Sequence, residues 1–404
     1  MRIAQINMVT NGSTGKIMFH IASKCSENGF QVKTFSPYVF SKRIQRKQEI
    51  PENHVVFGSF FEAGFHRVFG SFFGFNGLFS QIATWQLIRR LKVFRPDIIQ
   101  LHNLHGFCIN LPMLFRYIKN YNIYVVWTLH DCWAFTGHCP HFALVNCEKW
   151  KNGCHHCPQP HIYPKMHIDT SRYMYKLKKR WFCMPQNMVL VTPSQWLATL
   201  VKQSFLRNYD VKVIHNGIDL NTFRPVPSDF RNKYGIAGDK YILLGVAFGW
   251  NKGKGLDVFV ELSKRLENNY QIVLVGTNEN IDKLLPSNII SIHSTQDQNQ
   301  LAEIYTAADL FVNPTRGEVL GLVNIEANAC GTPVVTFNTG GSPECIDETS
   351  GSVVDCDDID AMEREIIRIC ECRPYSSSAC VSRAKRFDMN CRFDEYLQLY
   401  QSKK

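Results

Sequence analysis

The chain is expected to be an α/β protein built of two Rossmann-like domains, and three observations carry that expectation. Its 404 residues exceed what one ordinary core holds. Short apolar runs alternate with segments of helical period, the pattern of βαβ units and parallel sheets. The alternation occurs twice, with a change of charge between the halves. Residues 1–200 carry 23 Lys and Arg against 8 Asp and Glu, while the remainder carries 22 against 27, so the two halves face different partners. With 45% apolar and 20% charged residues, the composition is that of a globular protein and excludes a disordered chain.

In the first half, Arg2 to Val9 reads as a strand and Thr10 to Gly15 as a Gly/Ser/Thr loop. Lys16 to Asn28 has helical spacing and stops at Gly29. Gln31–Ser36, Asp97–Leu101, Tyr124–Leu129 and Met188–Thr192 continue as strands. In the second half, Tyr241–Ala247 is a strand, Leu256–Leu266 a helix, and Gln271–Val275 and Asp309–Asn313 further strands. The expected division is 1–208, 209–385, and a C-terminal helix within 386–404 that packs back on the first domain. No short-period repeat is present.

No stretch of about 18 uncharged apolar residues occurs, and Met1 leads directly into a strand pattern without a signal-peptide core. A cytoplasmic protein is expected. Its 15 cysteines are then mostly reduced thiols or metal ligands. Phe57, Phe60, Phe61, Phe65, Phe69, Phe72, Phe73, Phe75 and Phe79 crowd one glycine-rich segment ahead of Arg89-Arg90-Leu91-Lys92. Such a segment suits peripheral contact with an anionic inner membrane, or else the apolar wall of a core or cleft.

The strongest passage runs Asn313-Pro314-Thr315-Arg316-Gly317-Glu318-Val319-Leu320-Gly321-Leu322-Val323-Asn324-Ile325-Glu326 and then Gly331-Thr332-Pro333-Val334-Val335. It reads as strand, loop, helix, strand. The loop from Gly317 to Leu322 presents backbone N–H groups at a helix start, where the dipole favours a phosphate, and Gly321, Leu322 and Val323 are expected in the donor site. Glu318 sits at the mouth, and Glu326 is placed to hydrogen-bond ribose hydroxyls. The passage resembles the donor-binding signature of glycosyltransferase family 4, a retaining family of GT-B fold: two Rossmann-like domains with a cleft between them.

That resemblance extends further. His215-Asn216-Gly217-Ile218-Asp219 is similar to the family's entry into its second domain, and Gly249 to Leu256 stands where its basic diphosphate loop does. Lys254 is then the diphosphate contact. Relatives carry an arginine near that lysine, whereas this chain has Gly249 and Gly253, which leaves Lys252 as a substitute. Gly12 and Gly15, in Asn11-Gly12-Ser13-Thr14-Gly15, resemble the family's glycine-rich loop, where glycines allow close backbone approach. By the same resemblance His130 contacts the transferred sugar and Asp131 positions an acceptor hydroxyl, so the catalytic set is His130, Asp131 and Glu318.

Cys139, Cys147, Cys154 and Cys157 end in a C-x-x-C pair. The readings stay open: a closed structural zinc, or else packed reduced thiols or a redox pair. Similar Cys/Trp-rich segments occur in a bacterial exopolysaccharide branch of the family. Asp355, Asp357 and Asp358 read better as a helix cap than as a metal motif, and the resemblance implies that catalysis needs no cofactor.

The expected function is retaining transfer of a hexose from a nucleoside diphosphate sugar, UDP favoured over GDP, to a saccharide or lipid-linked acceptor in surface polysaccharide assembly. The alternatives are a sugar-nucleotide epimerase and a non-catalytic nucleotide- or glycan-binding protein of the same fold. Nucleic acid is not an expected partner, since no binding motif for it occurs.

Overall fold

A computed structural model of the chain describes residues 1–38 and 50–403. It divides into two compact units, Met1–Ile214 with Phe393–Lys404, and His215–Arg392. Each is a parallel sheet with helices.

The first unit contains β1 (Arg2–Ile6), α1 (Gly12–Glu27), β2 (Gln31–Pro37), β3 (His54–Phe57), α2 (Phe60–Phe73), α3 (Gln81–Phe94), β4 (Ile98–Leu101) and α4 (Leu111–Asn120). It continues with β5 (Tyr124–Thr128), α5 (Ser171–Phe182), β6 (Met188–Thr192), α6 (Gln195–Gln203) and β7 (Asp210–Val213). The strands are ordered β3-β2-β1-β4-β5-β6-β7, and every pairing is parallel. β4 and β6 are buried at every position, as strands covered on both faces must be.

The second unit contains α7 (Phe230–Lys233), β8 (Tyr241–Val246), α8 (Leu256–Arg265), β9 (Tyr270–Val275), α9 (Glu279–Asp282), β10 (Ile289–Ile292), α10 (Gln298–Ala307) and β11 (Leu310–Asn313). After these come α11 (Leu322–Ala329), β12 (Val334–Phe337), β13 (Gly351–Val354), α12 (Ile359–Cys372), α13 (Ser377–Ala384) and α14 (Met389–Gln401). The order is β10-β9-β8-β11-β12-β13, again parallel. Two apolar clusters pack this sheet. One is centred on Tyr305, Phe311 and Ile325, the other on Phe259, Leu274 and Met362.

The first unit extends six residues past the expected break at 208, because β7 pairs with β6 and closes that sheet. α14 begins in the second unit, and from Phe393 on it belongs to the first. There Tyr400 donates to Gln100 Oε1 at 2.9 Å and the Tyr396 hydroxyl meets Thr128 Oγ1 at 3.1 Å, all four buried.

In both sheets the strand order reverses direction between two neighbours, β1 and β4 in one, β8 and β11 in the other. Ligands of open α/β sheets bind beyond the carboxyl ends of such strands. The loops after β1, β4, β8 and β11 flank these two points.

Candidate functional site

In the second unit, two of these loops are tied together. The loop after β8 closes as a short turn over Lys252–Lys254, where the Asn251 side chain accepts from the Lys254 N–H at 3.1 Å. α8 follows at once through Gly255, whose φ of +75° and whose approach to Pro314 (an added Cβ would lie 2.4 Å from its carbonyl oxygen) demand glycine. From the loop after β11, Arg316 donates to both carboxylate oxygens of Asp257 at 2.8 and 3.0 Å, to Asp357 at 2.6 Å and to the Lys252 carbonyl. Its backbone N–H also donates to the Gly253 carbonyl at 2.9 Å. Arg316 thus staples the two loops. With its fork spent on two aspartates, it is no substitute for the arginine that relatives carry.

Lys254 and Glu318 meet directly, Nζ to Oε2 at 2.6 Å, with side chains 35% and 25% exposed. The Glu318 carbonyl accepts from Gly341 N–H at 3.1 Å, and Gly340 leaves no room above it, since a Cβ there would lie 1.7 Å from that oxygen. Gly321, at φ +89°, turns the chain into α11. That helix start is locked from beneath by buried Asn324, which accepts from Asn313 Nδ2 at 2.7 Å and donates to Ser342 Oγ at 2.9 Å. The orphan first-turn amides include those of Leu322 and Val323. Glu326 accepts from the hydroxyl of buried Tyr305 at 3.2 Å; burial and the Glu326 charge hold that phenol well above its usual range.

Glu318, Lys254, Lys252, Gly321 and α11 are therefore brought onto neighbouring loops, as their sequence motifs require. Lys252 is exposed. Asp358 caps α12 by accepting from Ala361 N–H at 2.8 Å, and Asp357 is held by Arg316, so these two members of the acidic run are structural.

In the first unit, the expected loop at Gly12 and Gly15 is the opening turn of α1. A Cβ on Gly15 would lie 2.3 Å from the Thr10 carbonyl carbon, which explains the glycine. β4 leads into His102 and β5 into His130 and Asp131. His102 Nδ1 lies 3.1 Å from His130 Nε2 and the rings stack at 12°. Asp131 is engaged at both oxygens, Oδ2 with His105 Nε2 at 2.8 Å and Oδ1 with the Trp133 N–H at 2.8 Å. Tyr163 OH sits on the other His105 nitrogen at 3.1 Å.

The electrostatics follow from burial. Desolvation brings His130 down to about 4, with the Asp131 charge opposing and that of His105 adding; His102 falls well below its usual value by burial, reinforced by His130. For Asp131, desolvation raises the carboxyl, but the charge and hydrogen bond of His105 and the Trp133 N–H outweigh it and hold the group at about 2. At neutral pH the pair is a neutral imidazole beside a fixed anion. Asp131 is poorly suited to take a proton.

Beneath this loop lies Lys178 of α5, fully buried, its ammonium 3.6 Å from the Trp133 ring centroid and donating to the Trp133 carbonyl. Burial lowers it to about 7, opposed by the charges of Cys154, Asp131 and Cys139. Sequence reasoning missed Lys178, which stands in a run of lysines that reads as a solvated face. It also missed His102 and His105. Their signal was available, since His102 directly follows an apolar strand.

All fifteen cysteines are free thiols. Cys139 hydrogen-bonds Cys157 and feels the charges of Cys154 and Cys147, while Cys154 accepts from the Gly137 N–H at 3.1 Å. The four motif cysteines are thus neighbours. Among the described residues, however, no three His, Cys, Asp or Glu side chains are grouped closely enough to hold a metal ion.

Comparison with known proteins decides the family. The sequence model of Glycosyltransferase Family 4 matches residues 15–222, just over half the chain, and that of glycosyl transferases group 1 matches residues 228–387. The chain belongs to glycosyltransferase family 4. It is 25% identical over 266 residues to a putative colanic acid biosynthesis glycosyl transferase, WcaC of Escherichia coli K12, covering 64% of each. It is 30% identical over 204 residues to a D-inositol 3-phosphate glycosyltransferase of Mycolicibacterium smegmatis, covering 47% of each. The chain thus spans less than two thirds of the length of either relative.

Among solved structures, this family 4 chain superposes on sucrose-phosphate synthase of Thermosynechococcus elongatus with TM-score 0.73 and 19% identity, covering 99% of this chain and 98% of that one. It superposes on Anabaena HepE in complex with UDP-glucose with TM-score 0.68 and 14% identity, covering both in full. At these identities the likeness establishes the GT-B fold. Among the described residues no helix is long and apolar enough to cross a membrane.

Proposed function

We propose that the protein transfers a sugar, a hexose, from a nucleoside diphosphate sugar to a saccharide or lipid-linked acceptor, with retention, in the assembly of a surface polysaccharide. The observation that carries the reading is the pairing of Lys254 with Glu318 beside the helix start at Gly321. A single ammonium, a glycine turn and a helix N-terminus offer a diphosphate both charge and backbone donors. Glu326, oriented by Tyr305, is one turn further along and is the group for ribose hydroxyls.

In this proposal the donor's phosphates draw Lys254 from Glu318, which frees that carboxylate to accept from sugar hydroxyls. His130, neutral, hydrogen-bonds the transferred sugar, and Asp131 fixes the loop that carries it. The residues supply position and charge rather than a strong base, so the leaving diphosphate is the natural acceptor of the proton. Lys254 and the α11 amides already provide the positive field, and transfer is expected to persist in a chelator.

UDP is favoured because HepE was solved with UDP-glucose, and polysaccharide assembly because of what WcaC is named for. Thermal stabilisation by UDP, GDP and ADP, with and without Glu326→Ala, tests the site. A shift with one nucleotide that the substitution abolishes supports it and names the base; no shift with any refutes it. Sugar released or transferred from the preferred donor, rather than epimerised, then separates transferase from epimerase.

For the four cysteines the proposal is a structural zinc on which their side chains close. Metal analysis of protein purified without chelator is expected to give about one zinc per chain, and none would refute it.

A further inference from the structure

One face of the first unit has a composition that transfer chemistry does not require. α2 buries His66 and Gly70 and turns outward Phe61 (84% exposed), Phe65 (51%), Val68 (64%) and Phe72 (50%). Their spacing of four, three and four residues makes one continuous stripe. α3 repeats the pattern, presenting Ile82 (65%), Trp85 (54%) and Val93 (80%), with Arg89 in the same row. The helices are tied by Glu62 of α2, whose carboxylate accepts the first-turn amides of Ile82 and Ala83 at 2.8 and 2.9 Å. Single exposed apolar residues need no explanation, but two adjacent aromatic-rich stripes do.

The charged side chains of α2 and α3 are, with one exception, cationic. Glu62, spent on capping, is the sole carboxylate of α2 and α3, against Arg67, Arg89, Arg90 and Lys92. Between α3 and the sheet edge lies a cavity of about 360 Å³ lined by Lys33, Trp85, Arg89, Arg90, Phe35 and Val55, with no acidic group among the described residues of its wall. The Arg89 guanidinium stands 5.7 Å from the Trp85 ring. Three cations around one hollow, with no carboxylate among the described wall residues, favour an anionic occupant.

We propose that the α2/α3 face is a docking surface for an anionic lipid bilayer, the Phe61–Phe65–Val68–Phe72 stripe entering the headgroup boundary and the Lys33/Arg89/Arg90 cavity taking a lipid phosphate. Aromatic side chains beside cations match the headgroup level, apolar toward the acyl chains and charged toward the phosphates. A second copy of the chain is a poor occupant, since twofold packing of this face would set its arginines against each other. The bilayer supplies both what the stripe lacks and what the cavity lacks. This inference does not rest on the transfer reaction.

Sedimentation of the full chain with vesicles of phosphatidylglycerol and phosphatidylcholine, against pure phosphatidylcholine, tests it. Binding is expected to the anionic vesicles only and to weaken with salt. Arg89→Ala with Arg90→Ala should weaken it about thirtyfold, from roughly a fivefold loss per cation near the surface. Phe61→Ser with Phe65→Ser should weaken it further, at unchanged melting temperature and nucleotide response. Equal binding to both vesicles, no binding, or variants that bind like the parent each overturn the proposal. So does concentration-dependent dimerisation abolished by the Phe61/Phe65 variant, or stabilisation by inorganic phosphate without vesicle binding.

Discussion

Replacing Lys254 by Met should weaken UDP binding far more than UMP binding, by an amount that follows from the ion pair it makes. A unit charge about 4 Å from a phosphate charge is worth about 4 kcal/mol at an effective dielectric of 20 and about 1 kcal/mol in water. With 35% of its side chain exposed, Lys254 lies toward the lower value, and it must first leave Glu318 at 2.6 Å, a partly exposed pair worth about 0–1 kcal/mol. The net is on the order of 1–2 kcal/mol, a loss in affinity of about 5- to 30-fold. The same exchange gives the opposite sign for Glu318→Gln. Removing the competitor frees Lys254, so UDP should bind at least as tightly, by up to about fivefold, while sugar transfer falls.

Isothermal titration of UDP and UMP into parent, Lys254→Met and Glu318→Gln decides the matter. A Lys254→Met protein that loses UDP and UMP affinity equally would mean that the ammonium does not read the second phosphate. A Glu318→Gln protein with weakened UDP binding would refute the competition itself.

Four other outcomes are expected. Asn324→Ala strands the Asn313 amide beneath α11 and removes a donor from Ser342 and should cost about 1–3 kcal/mol in chemical denaturation, with a larger proportional loss of UDP binding than of stability. Gly340→Ala places a methyl against the Glu318 carbonyl and should abolish UDP stabilisation while the first unit's melting transition stays put. Lys178→Met removes a buried ammonium from the Trp133 ring and carbonyl and should slow transfer without weakening UDP, read as kcat against KM. Acidification from pH 6.5 to about 4.5, above the ordinary carboxylate range, should destabilise the first unit selectively. Burial lowers His130 and His138 to about 4, and His66 to about 3 against a backbone hydrogen bond that opposes it. Below pH 6.5 the unfolded chain therefore binds protons that the folded one refuses, and stability falls on the order of 1.4 kcal/mol per histidine per pH unit down to pH 3–4. A flat melting temperature from pH 7 to 4.5 would contradict this.

The sheets were legible where strands are largely buried, because β6, β8 and β11 each hold a run of three or four consecutive apolar residues. β7 and β13 escaped notice for the opposite reason. Each is four residues long, at a sheet edge and partly exposed, so neither carries a strong period. The donor loop was legible because glycine positions and helix starts are local properties. What was not legible depended on distant partners: Arg316 looks like any loop arginine until Asp257 and Asp357 close on it from two other segments, and Lys178 looks solvated until Trp133 covers it.

The two ends of the proposed chemistry are electrostatically unlike, and the difference bears on what each can do. On the second unit, Lys254 and Glu318 are partly exposed and paired across two loops, so a ligand phosphate can separate them at small cost. On the first, Asp131 is buried with both oxygens committed to His105 and Trp133. Removing either partner would leave an uncompensated buried anion, which costs several kcal/mol. The first arrangement is made to exchange partners and the second to keep them. A residue that keeps its partners holds geometry, and one that exchanges them senses the ligand. On this reasoning Asp131→Asn should cost mainly kcat, by disordering His130, whereas substitutions at Lys254 should appear first in the affinity for the diphosphate.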